Sequence, residues 1–393
     1  MRRHFILALT VITVVAAAVA APAAAAGSFA QPQTQMQTHP QTQEQAQTQT
    51  QPQTAIQTQN DTPTCDYPIE VTDATGETIT IDEAPDSVVA LQASDAQTMF
   101  EINAADRLDG LPYSPATSEL DRGDRANIGS GWNLDHEQII ATEPDLVLAG
   151  NTTQEEDIET LREEAGLTVY HFAEAESIDD VRQNVFRTGE LVGECEGAQD
   201  TVDWMDDQLE IVDTALEDAD RPLAYYAMPD GWTAGSNTFV HDVLTTAGLE
   251  NVAEEAGIEG YRDINSETVV DEDPEWIIYP DDANDEPPIP DALQATTAAE
   301  QDNVVAVNAN QLNQPAPHVV SAVVSIVEEI HPEAYAEASA ELESSPAAND
   351  SGTDGDGGDD ADGGDSIPGF GVPAAIGAAL VTLTALGART RRR

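Results

Sequence analysis

The sequence predicts an α/β protein whose two similar lobes are joined by one long helix, and three patterns predict it. Short apolar runs alternate with helical patterns through the middle of the chain, which is typical of helices packed on mostly parallel sheets. One helical pattern is unusually long. A further pattern of twelve residues occurs once before that helix and once after it.

Seven apolar runs are the candidate buried strands. The runs cover residues 88–91, 107–111, 145–149, 168–172, 224–228, 276–279 and 304–307. Because helical patterns separate them, we expect α/β units around mostly parallel sheets.

The long helix is predicted over residues 195–220. Between residues 196 and 219 there is no Pro, and no Gly follows Gly197. Apolar residues recur three or four positions apart, at Val202, Met205, Leu209, Val212 and Leu216. This spacing predicts one amphipathic helix in the middle of the domain.

The internal repeat aligns residues 137–148 with residues 267–278 without a gap. Each copy begins with a glutamate, Glu137 or Glu267, continues with a branched apolar pair, and reaches a proline before an apolar run. Since proline ends a helix, each copy predicts a short helix that buries its branched pair and leads into a buried strand. Matched units on either side of one long helix predict two similar lobes with a rigid connection.

The amino-terminal end predicts export. Residues 1–26 combine a basic start, an apolar stretch and an Ala-rich end, which is typical of a signal peptide. The pair Arg2 and Arg3 leaves both the Sec and the twin-arginine routes open. Residues 27–64 are rich in Gln and Thr, and residues 343–366 are rich in Asp, Gly and Ser, so both are predicted to be disordered linkers.

The carboxyl-terminal end, residues 367–393, predicts that the protein is anchored to the cell membrane. Pro368, Gly369 and Phe370 precede an apolar run and a basic end. This arrangement resembles the Pro-Gly-Phe sorting signal of haloarchaeal surface proteins, which implies removal of the tail by an archaeosortase and attachment of a lipid. An ordinary transmembrane anchor is the alternative. Both place the domain at the cell surface, outside the membrane.

Carboxylates dominate the composition. Asp and Glu outnumber Lys and Arg 74 to 14, for a formal net charge of −60, and lysine is absent from the sequence. Such a charge repels nucleic acid, so we expect no nucleic-acid partner. The carboxylates are interleaved with apolar segments, which resembles proteins of extreme halophiles, where salt screens the repulsion. We therefore expect a salt-loving archaeal source.

The sequence contains two cysteines, Cys65 and Cys195. In an exported chain they predict a disulfide, with two free buried thiols as the alternative. Two thiolates without nearby histidines supply too few ligands for a metal site. The sequence contains no Gly-x-Ser-x-Gly, no His-Glu-x-x-His and no Gly-rich phosphate loop, so it does not predict an enzyme.

The chain resembles the class III, or cluster A, solute-binding proteins that serve ABC importers of cobalamin, haem and iron-siderophore complexes. The resemblance runs from about residue 69 to residue 335. It rests on the order of residues 71–74, 88–91, 107–111 and 132–134, the two repeats, and residues 233–236. It implies the class III periplasmic-binding-protein fold, with two Rossmann-like lobes at residues 65–194 and 221–342 bridged by residues 195–220.

The resemblance also implies partners. In this family one surface glutamate on each lobe meets arginines of the permease dimer, which works with ATPase subunits. The repeat assigns these positions to Glu137 and Glu267. The alternative is that each glutamate complements the positive end of its own helix.

Candidate ligand contacts follow the predicted strand ends, because ligand lies between the lobes in this family. They are Gln92, Ser94, Tyr113, Trp132, Trp232, Tyr261, Gln311 and Gln314, with Asn151 as a further candidate. His318 is expected to cap a helix or face solvent rather than bind a metal ion. Because aromatic loops and neutral amides suit a bulky amide-fringed ring, we expect cobalamin as the transported ligand and no resident cofactor; haem or a siderophore, and a structural surface protein, are the alternatives.

Overall fold

Two parallel sheets, one before and one after a long helix in the chain, form the framework of the fold. The computed structural model describes residues 64–282, 287 and 289–344. The predicted signal peptide and the Pro368, Gly369 and Phe370 signal lie outside the described residues. Among the helices that the structure describes, none is long and apolar enough to cross a bilayer.

The described chain contains short strands and mostly short helices. The strands are β1 (Ile69–Thr72), β2 (Thr78–Ile81), β3 (Val88–Ala90), β4 (Leu108–Leu111), β5 (Ala126–Asn127), β6 (Leu146–Ala149), β7 (Val169–His171), β8 (Leu223–Tyr226), β9 (Trp232–Ala234), β10 (Glu250–Asn251), β11 (Tyr261–Asp263), β12 (Trp276–Pro280) and β13 (Val304–Val307). The helices are α1 (Ala93–Glu101), α2 (His136–Ala141), α3 (Glu155–Glu159), α4 (Ile178–Val192), α5 (Cys195–Leu216), α6 (Phe239–Thr246), α7 (Val252–Glu255), α8 (Ser266–Glu272), α9 (Thr297–Gln301), α10 (Ala309–Leu312), α11 (Val319–Ile330) and α12 (Pro332–Ser344).

Each lobe contains its own sheet. The N-terminal lobe has five strands in the order β5-β4-β3-β6-β7, and the C-terminal lobe has four in the order β10-β8-β12-β13. All neighbours within these two sheets are parallel. The seven predicted strands are confirmed as β3, β4, β6, β7, β8, β12 and β13. The antiparallel pairs β1–β2 and β9–β11 were not predicted, because their residues are mostly polar or exposed.

The repeat produces the same unit in both lobes, α2 followed by β6 and α8 followed by β12. The residue before the proline is left-handed in each copy, with φ of 48° at Glu143 and 49° at Asp273. The first branched residue of each pair, Ile139 or Val269, is buried. Burial of the whole pair was a wrong prediction, because Ile140 is 42% exposed. Successive helical residues point about 100° apart, so a short helix lying on a sheet buries only one of the two.

The predicted bridging helix is confirmed as α5, which ends at Leu216 rather than at residue 220. Its first turn lies against the N-terminal lobe, where a Cβ on Gly197 would be 2.0 Å from the carbonyl oxygen of Ile102. One turn later, Thr201 Oγ1 donates to the carbonyl of Glu101 at 3.1 Å. At the other end, Leu216 contacts Gly248 of the C-terminal lobe. One continuous helix therefore packs against both lobes.

The disulfide between Cys65 and Cys195 is confirmed, with Cα atoms 6.0 Å apart. It joins the start of the described chain to the first residue of α5. The bridge spans a sequence separation of 130 residues, so it encloses nearly the whole N-terminal lobe.

Candidate functional site

A cleft of about 690 Å³ lies where the two lobes face each other. The N-terminal lobe lines it with residues that follow β3, β4, β5 and β6. The C-terminal lobe contributes residues that follow β12 and β13. Carboxyl ends of parallel strands are the usual location of ligand sites in α/β folds, because the connecting loops there are free of sheet packing.

The structure brings most of the predicted contacts together in this cleft. The predicted residues that line it are Gln92, Ser94, Tyr113, Trp132 and Gln314, together with Asn151. Trp132 is 71% exposed, which is a large fraction for an aromatic residue. One cleft therefore contains the apolar wall and the amide groups that the sequence analysis assigned to a ligand site.

Three predicted contacts lie outside the lining of the cleft: Trp232, Tyr261 and Gln311. Trp232 and Tyr261 belong to strands β9 and β11, so the placement of Trp232 in a loop was wrong. Tyr261 is opposite Ala234, two residues after Trp232, so both aromatic side chains are on one face of this strand pair. Gln311 is in α10 and is half-buried. Their role as ligand contacts stays a prediction.

Gln92 is held in place at the edge of the cleft. Its Nε2 donates to the carbonyl oxygen of Gly131 at 3.2 Å and to Thr153 Oγ1 at 3.3 Å. These bonds connect the loop after β3 with the loops after β5 and β6. The side-chain oxygen of Gln92 is therefore fixed in position as an acceptor close to the lining residues.

Tyr113 is fixed by two arginines outside the lining. Its hydroxyl donates to the carbonyl oxygen of Arg125 at 3.0 Å, and the guanidinium of Arg122 lies 4.4 Å from its ring centroid. Arg122 also donates to the carbonyl oxygens of Ser114 and Thr117. The guanidinium of Arg122 stacks on the ring and holds the loop. It therefore lies against the tyrosine and outside the lining of the cleft.

The charge of the lining is neutral to acidic. Among the described residues that line the cleft there is no arginine and no histidine, whereas Asp281 and Asp282 are present. Asp281 Oδ1 accepts from the amide of Ala309 at 2.9 Å, and Asp282 is exposed. Neither aspartate was predicted as a ligand contact, although both follow β12 as Asn151 follows β6. The internal repeat could therefore have identified them.

Asn313 is a further residue that sequence reasoning missed. It lines the cleft, and its Oδ1 accepts from the Tyr226 hydroxyl at 3.0 Å. Burial raises the pKa of Tyr226, so that hydroxyl stays protonated and remains a donor. No periodic signal marks Asn313, because it follows a four-residue helix within a polar segment.

Asp95 is a buried carboxyl beneath the cleft, only 8% exposed. Its Oδ2 accepts from the amides of Gly150 at 2.8 Å and Gln92 at 3.3 Å. Burial raises its pKa to about 7, and these two hydrogen bonds offset only part of that effect. Asp95 therefore ties the ends of β3 and β6 together where the cleft residues emerge.

His318 connects the lobes beside the long helix. Its Nε2 lies 2.7 Å from Glu101 Oε1 at the end of α1, and its ring centroid lies 5.8 Å from that of Trp204. Burial raises the pKa of Glu101, and the charge of His318 offsets part of this. His318 occupies the N-cap position of α11, as expected, but its side chain makes no cap hydrogen bond and, while 39% exposed, pairs with Glu101.

Glu137 and Glu267 occupy equivalent exposed positions. Each is the second residue of its helix, in α2 and α8, after an N-cap of Asp135 or Asn265. The N-cap side chain accepts from a backbone amide of the first turn in both helices. The two carboxylates therefore project from matched helix starts on separate lobes.

A model of the periplasmic binding protein family matches residues 88–312. The chain belongs to the periplasmic binding protein family. As a member, it is a solute-binding protein of the ABC import type, and its family consists of binding proteins rather than enzymes. Within the described part of this periplasmic binding protein, no group of three or more His, Cys, Asp or Glu residues is arranged to hold a metal ion.

Known relatives share most of this periplasmic binding protein's length. A protein of Halobacterium salinarum named "Cobalamin-binding protein" is 35% identical over 283 residues, covering 68% of this chain and 75% of the relative. A periplasmic vitamin B12 binding protein of Vibrio cholerae has 18% identity and a TM-score of 0.55, covering 65% of this chain and 98% of that one. A periplasmic heme-binding protein of Roseiflexus has 21% identity and a TM-score of 0.55, covering 62% and 98%. The two solved structures show the shared fold.

Proposed function

We propose that this chain captures cobalamin, or a related corrinoid, for an ABC importer. The observation that carries the choice of ligand is the lining of the cleft, which combines aromatic walls and amides without a cationic side chain among the described residues. The similarity to a relative named for cobalamin binding supports the same choice.

Corrinoids carry a ring of amide side chains around a flat macrocycle. The flat face suits contact with Trp132, and the amides suit hydrogen bonds with Gln92, Asn151, Asn313 and Gln314. The alternatives, haem and ferric siderophores, present anionic oxygens that commonly bind arginine. Here they would meet Asp281 and Asp282 instead, so like charges oppose them.

Docking to the permease is assigned to Glu137 and Glu267. Matched positions on two lobes present two carboxylates to a dimeric partner, and paired contacts set the orientation of docking. Each glutamate also lies at the positive end of its own helix, which is the competing explanation for its presence. The permease dimer and its ATPase subunits are the partners implied.

The location proposed for the domain is the outer cell surface. Residues 1–26 would direct export, and residues 27–64 and 343–366 would be linkers. The lobes would span residues 65–194 and 221–342 around the bridge at residues 195–220. The signal at residues 368–370 would lead to a lipid anchor, with a retained membrane helix as the alternative. The net charge of −60 favours a salt-loving archaeal source. A structural surface protein remains the alternative from a different class.

Calorimetric titration in concentrated KCl tests the ligand. We expect saturable binding of cobalamin and much weaker binding of haem or a ferric siderophore. The variant Asp282→Asn should improve haem binding while leaving cobalamin binding unchanged, because it removes one negative charge from the lining. Asp213→Asn, an exposed substitution on α5, is the matched control. Tight haem binding by the unaltered protein, with no cobalamin binding, would refute the proposal.

A further inference from the structure

Two polar contacts join the lobes directly, beside the long helix. In the first, Nε2 of His318 in the C-terminal lobe lies 2.7 Å from Oε1 of Glu101 in the N-terminal lobe. In the second, the amide of Ile178 in the N-terminal lobe donates to Oδ2 of Asp242 in the C-terminal lobe at 2.8 Å. Each lobe therefore supplies one carboxylate to a group of the other lobe.

The contact between Glu101 and His318 lies against α5. The carbonyl oxygen of Glu101 accepts from Thr201 Oγ1 of α5 at 3.1 Å, and the ring centroid of His318 lies 5.8 Å from that of Trp204, which is also in α5. The side chain of Glu101 is only 16% exposed, so water competes little for its bond to His318. This contact therefore joins the lobes at the helix about which they would have to tilt.

A proline-containing segment, residues 314–318, connects this contact with the cleft. Gln314 and Pro315 line the cleft at one end of the segment, and His318 is at the other end. Pro315 also lies with Thr98 of α1 around a small recess, so the segment follows α1 from the cleft to the end of that helix. Two of its five residues are prolines, which fix their own φ angles. The segment is therefore stiff, and a displacement of His318 would also move Gln314.

The contact between Ile178 and Asp242 completes the start of α4. Ile178 is the first residue of α4, and an amide in the first turn has no acceptor within its own helix. Asp242, in α6, supplies that acceptor from the other lobe. Because α4 packs along α5, this contact restrains tilting at a second point on the same helix.

We propose that these two contacts form a clasp that restrains the lobes from moving apart and slows the release of bound solute. One contact beside α5 would leave the lobes free to turn about it, whereas two contacts fix their relative orientation. Opening the clasp would move Gln314 away from Gln92, which lines the cleft from the N-terminal lobe. The effect on release rests on the proposed binding of cobalamin, whereas the restraint on the lobes does not depend on a ligand.

Distances between spin labels test the restraint in the ligand-free protein. Labels attached at Glu156→Cys and Glu300→Cys, both exposed positions, report the separation of the lobes. Glu101→Ala combined with Asp242→Ala should broaden the distribution of distances, because both acceptors are lost. Glu101→Gln combined with Asp242→Asn should keep the original distribution, because amide oxygens still accept both hydrogen bonds. Asp213→Ala, which removes an exposed carboxylate from α5, is the matched control.

Stopped-flow measurement of cobalamin dissociation tests the effect on release. A hydrogen bond to a partly exposed charged group changes an equilibrium by about a factor of five, so Glu101→Ala and Asp242→Ala should each speed dissociation about fivefold. The Gln and Asn variants should dissociate at the original rate, which separates loss of the clasp from loss of charge.

The proposal is overturned if the double alanine variant has the same distance distribution as the unaltered protein, or if cobalamin leaves both at one rate. Should the double variant fail to fold, His318→Ala breaks the first contact from the other lobe, and the same outcomes apply to it. If the unaltered protein does not bind cobalamin, the proposed ligand is wrong, and the distances alone decide whether the clasp restrains the lobes.

Discussion

Replacing Trp132 with alanine is expected to weaken cobalamin binding about 20-fold. Trp132 is 71% exposed within the cleft, and a tryptophan side chain offers about 200 Å² of surface, so about 140 Å² is free to contact ligand. A flat ligand that covers one side of the indole buries about half of this. At about 25 cal/mol per Å², the loss is about 1.8 kcal/mol, which corresponds to the stated change in Kd.

The assay is calorimetric titration of each variant with cobalamin in concentrated KCl. Trp132→Phe should recover part of the affinity, because phenylalanine keeps a flat apolar face. The Tm of Trp132→Ala should stay close to that of the unaltered protein, since an exposed side chain contributes little to folding. Trp232→Ala provides the comparison: a loss of the same size there would extend the binding surface to the β9–β11 pair. A Kd within about twofold of the original for Trp132→Ala would refute the reasoning.

Three further predictions follow from other parts of the molecule. Changing Glu137 and Glu267 together to alanine should reduce ligand uptake by cells without changing Kd, whereas a pair of exposed glutamates on α5 changed in the same way should leave uptake intact. Replacing Cys65 and Cys195 with serine should lower the free energy of unfolding by about 2–5 kcal/mol, because the bridge constrains a long loop of the unfolded chain; a reductant should have no added effect on the variant in denaturant titrations. The folded pKa of Asp95, raised from 3.8 to about 7, means that its contribution to stability is fully present below about pH 3.8 and lost as the pH rises through 7. Asp95→Asn should therefore gain stability relative to the unaltered protein across that range, and identical pH profiles in denaturant titrations would contradict this.

Periodicity was sufficient to predict the framework. Strands inside the sheets, such as β3 and β6, carry continuous apolar runs because both faces of the sheet are covered there, and this signal is local. The helix α5 was predictable for the same reason, since its apolar residues recur at helical spacing. The pairs β1–β2 and β9–β11 carry no such run. The hairpin of β1 and β2 alternates apolar and polar residues because one of its faces is exposed. The three-residue strands β9 and β11 are separated by a long stretch of sequence, so a local pattern does not show that they pair.

The cleft was most predictable where a residue comes soon after a buried strand. Gln92 and Tyr113, each two residues after β3 or β4, were identified in this way and line the cleft. Trp132 also lines it, although it lies five residues after β5, a two-residue strand that was not predicted. Trp232 follows β8 in sequence, but the chain turns into β9 there and carries it outside the lining. Partners set by tertiary contact, such as Arg122 stacked on Tyr113, leave no trace in a single sequence.

The close contact between α5 and the N-terminal lobe bears on how quickly bound solute escapes. With Gly197 against the Ile102 carbonyl and Leu216 against Gly248, the helix has little room to tilt. Spontaneous widening of the entrance should therefore be rare, and dissociation in free solution slow, so residence time rather than encounter rate would dominate the affinity. Delivery would then depend on a transporter that opens the cleft, so release of the solute would be controlled by the transporter.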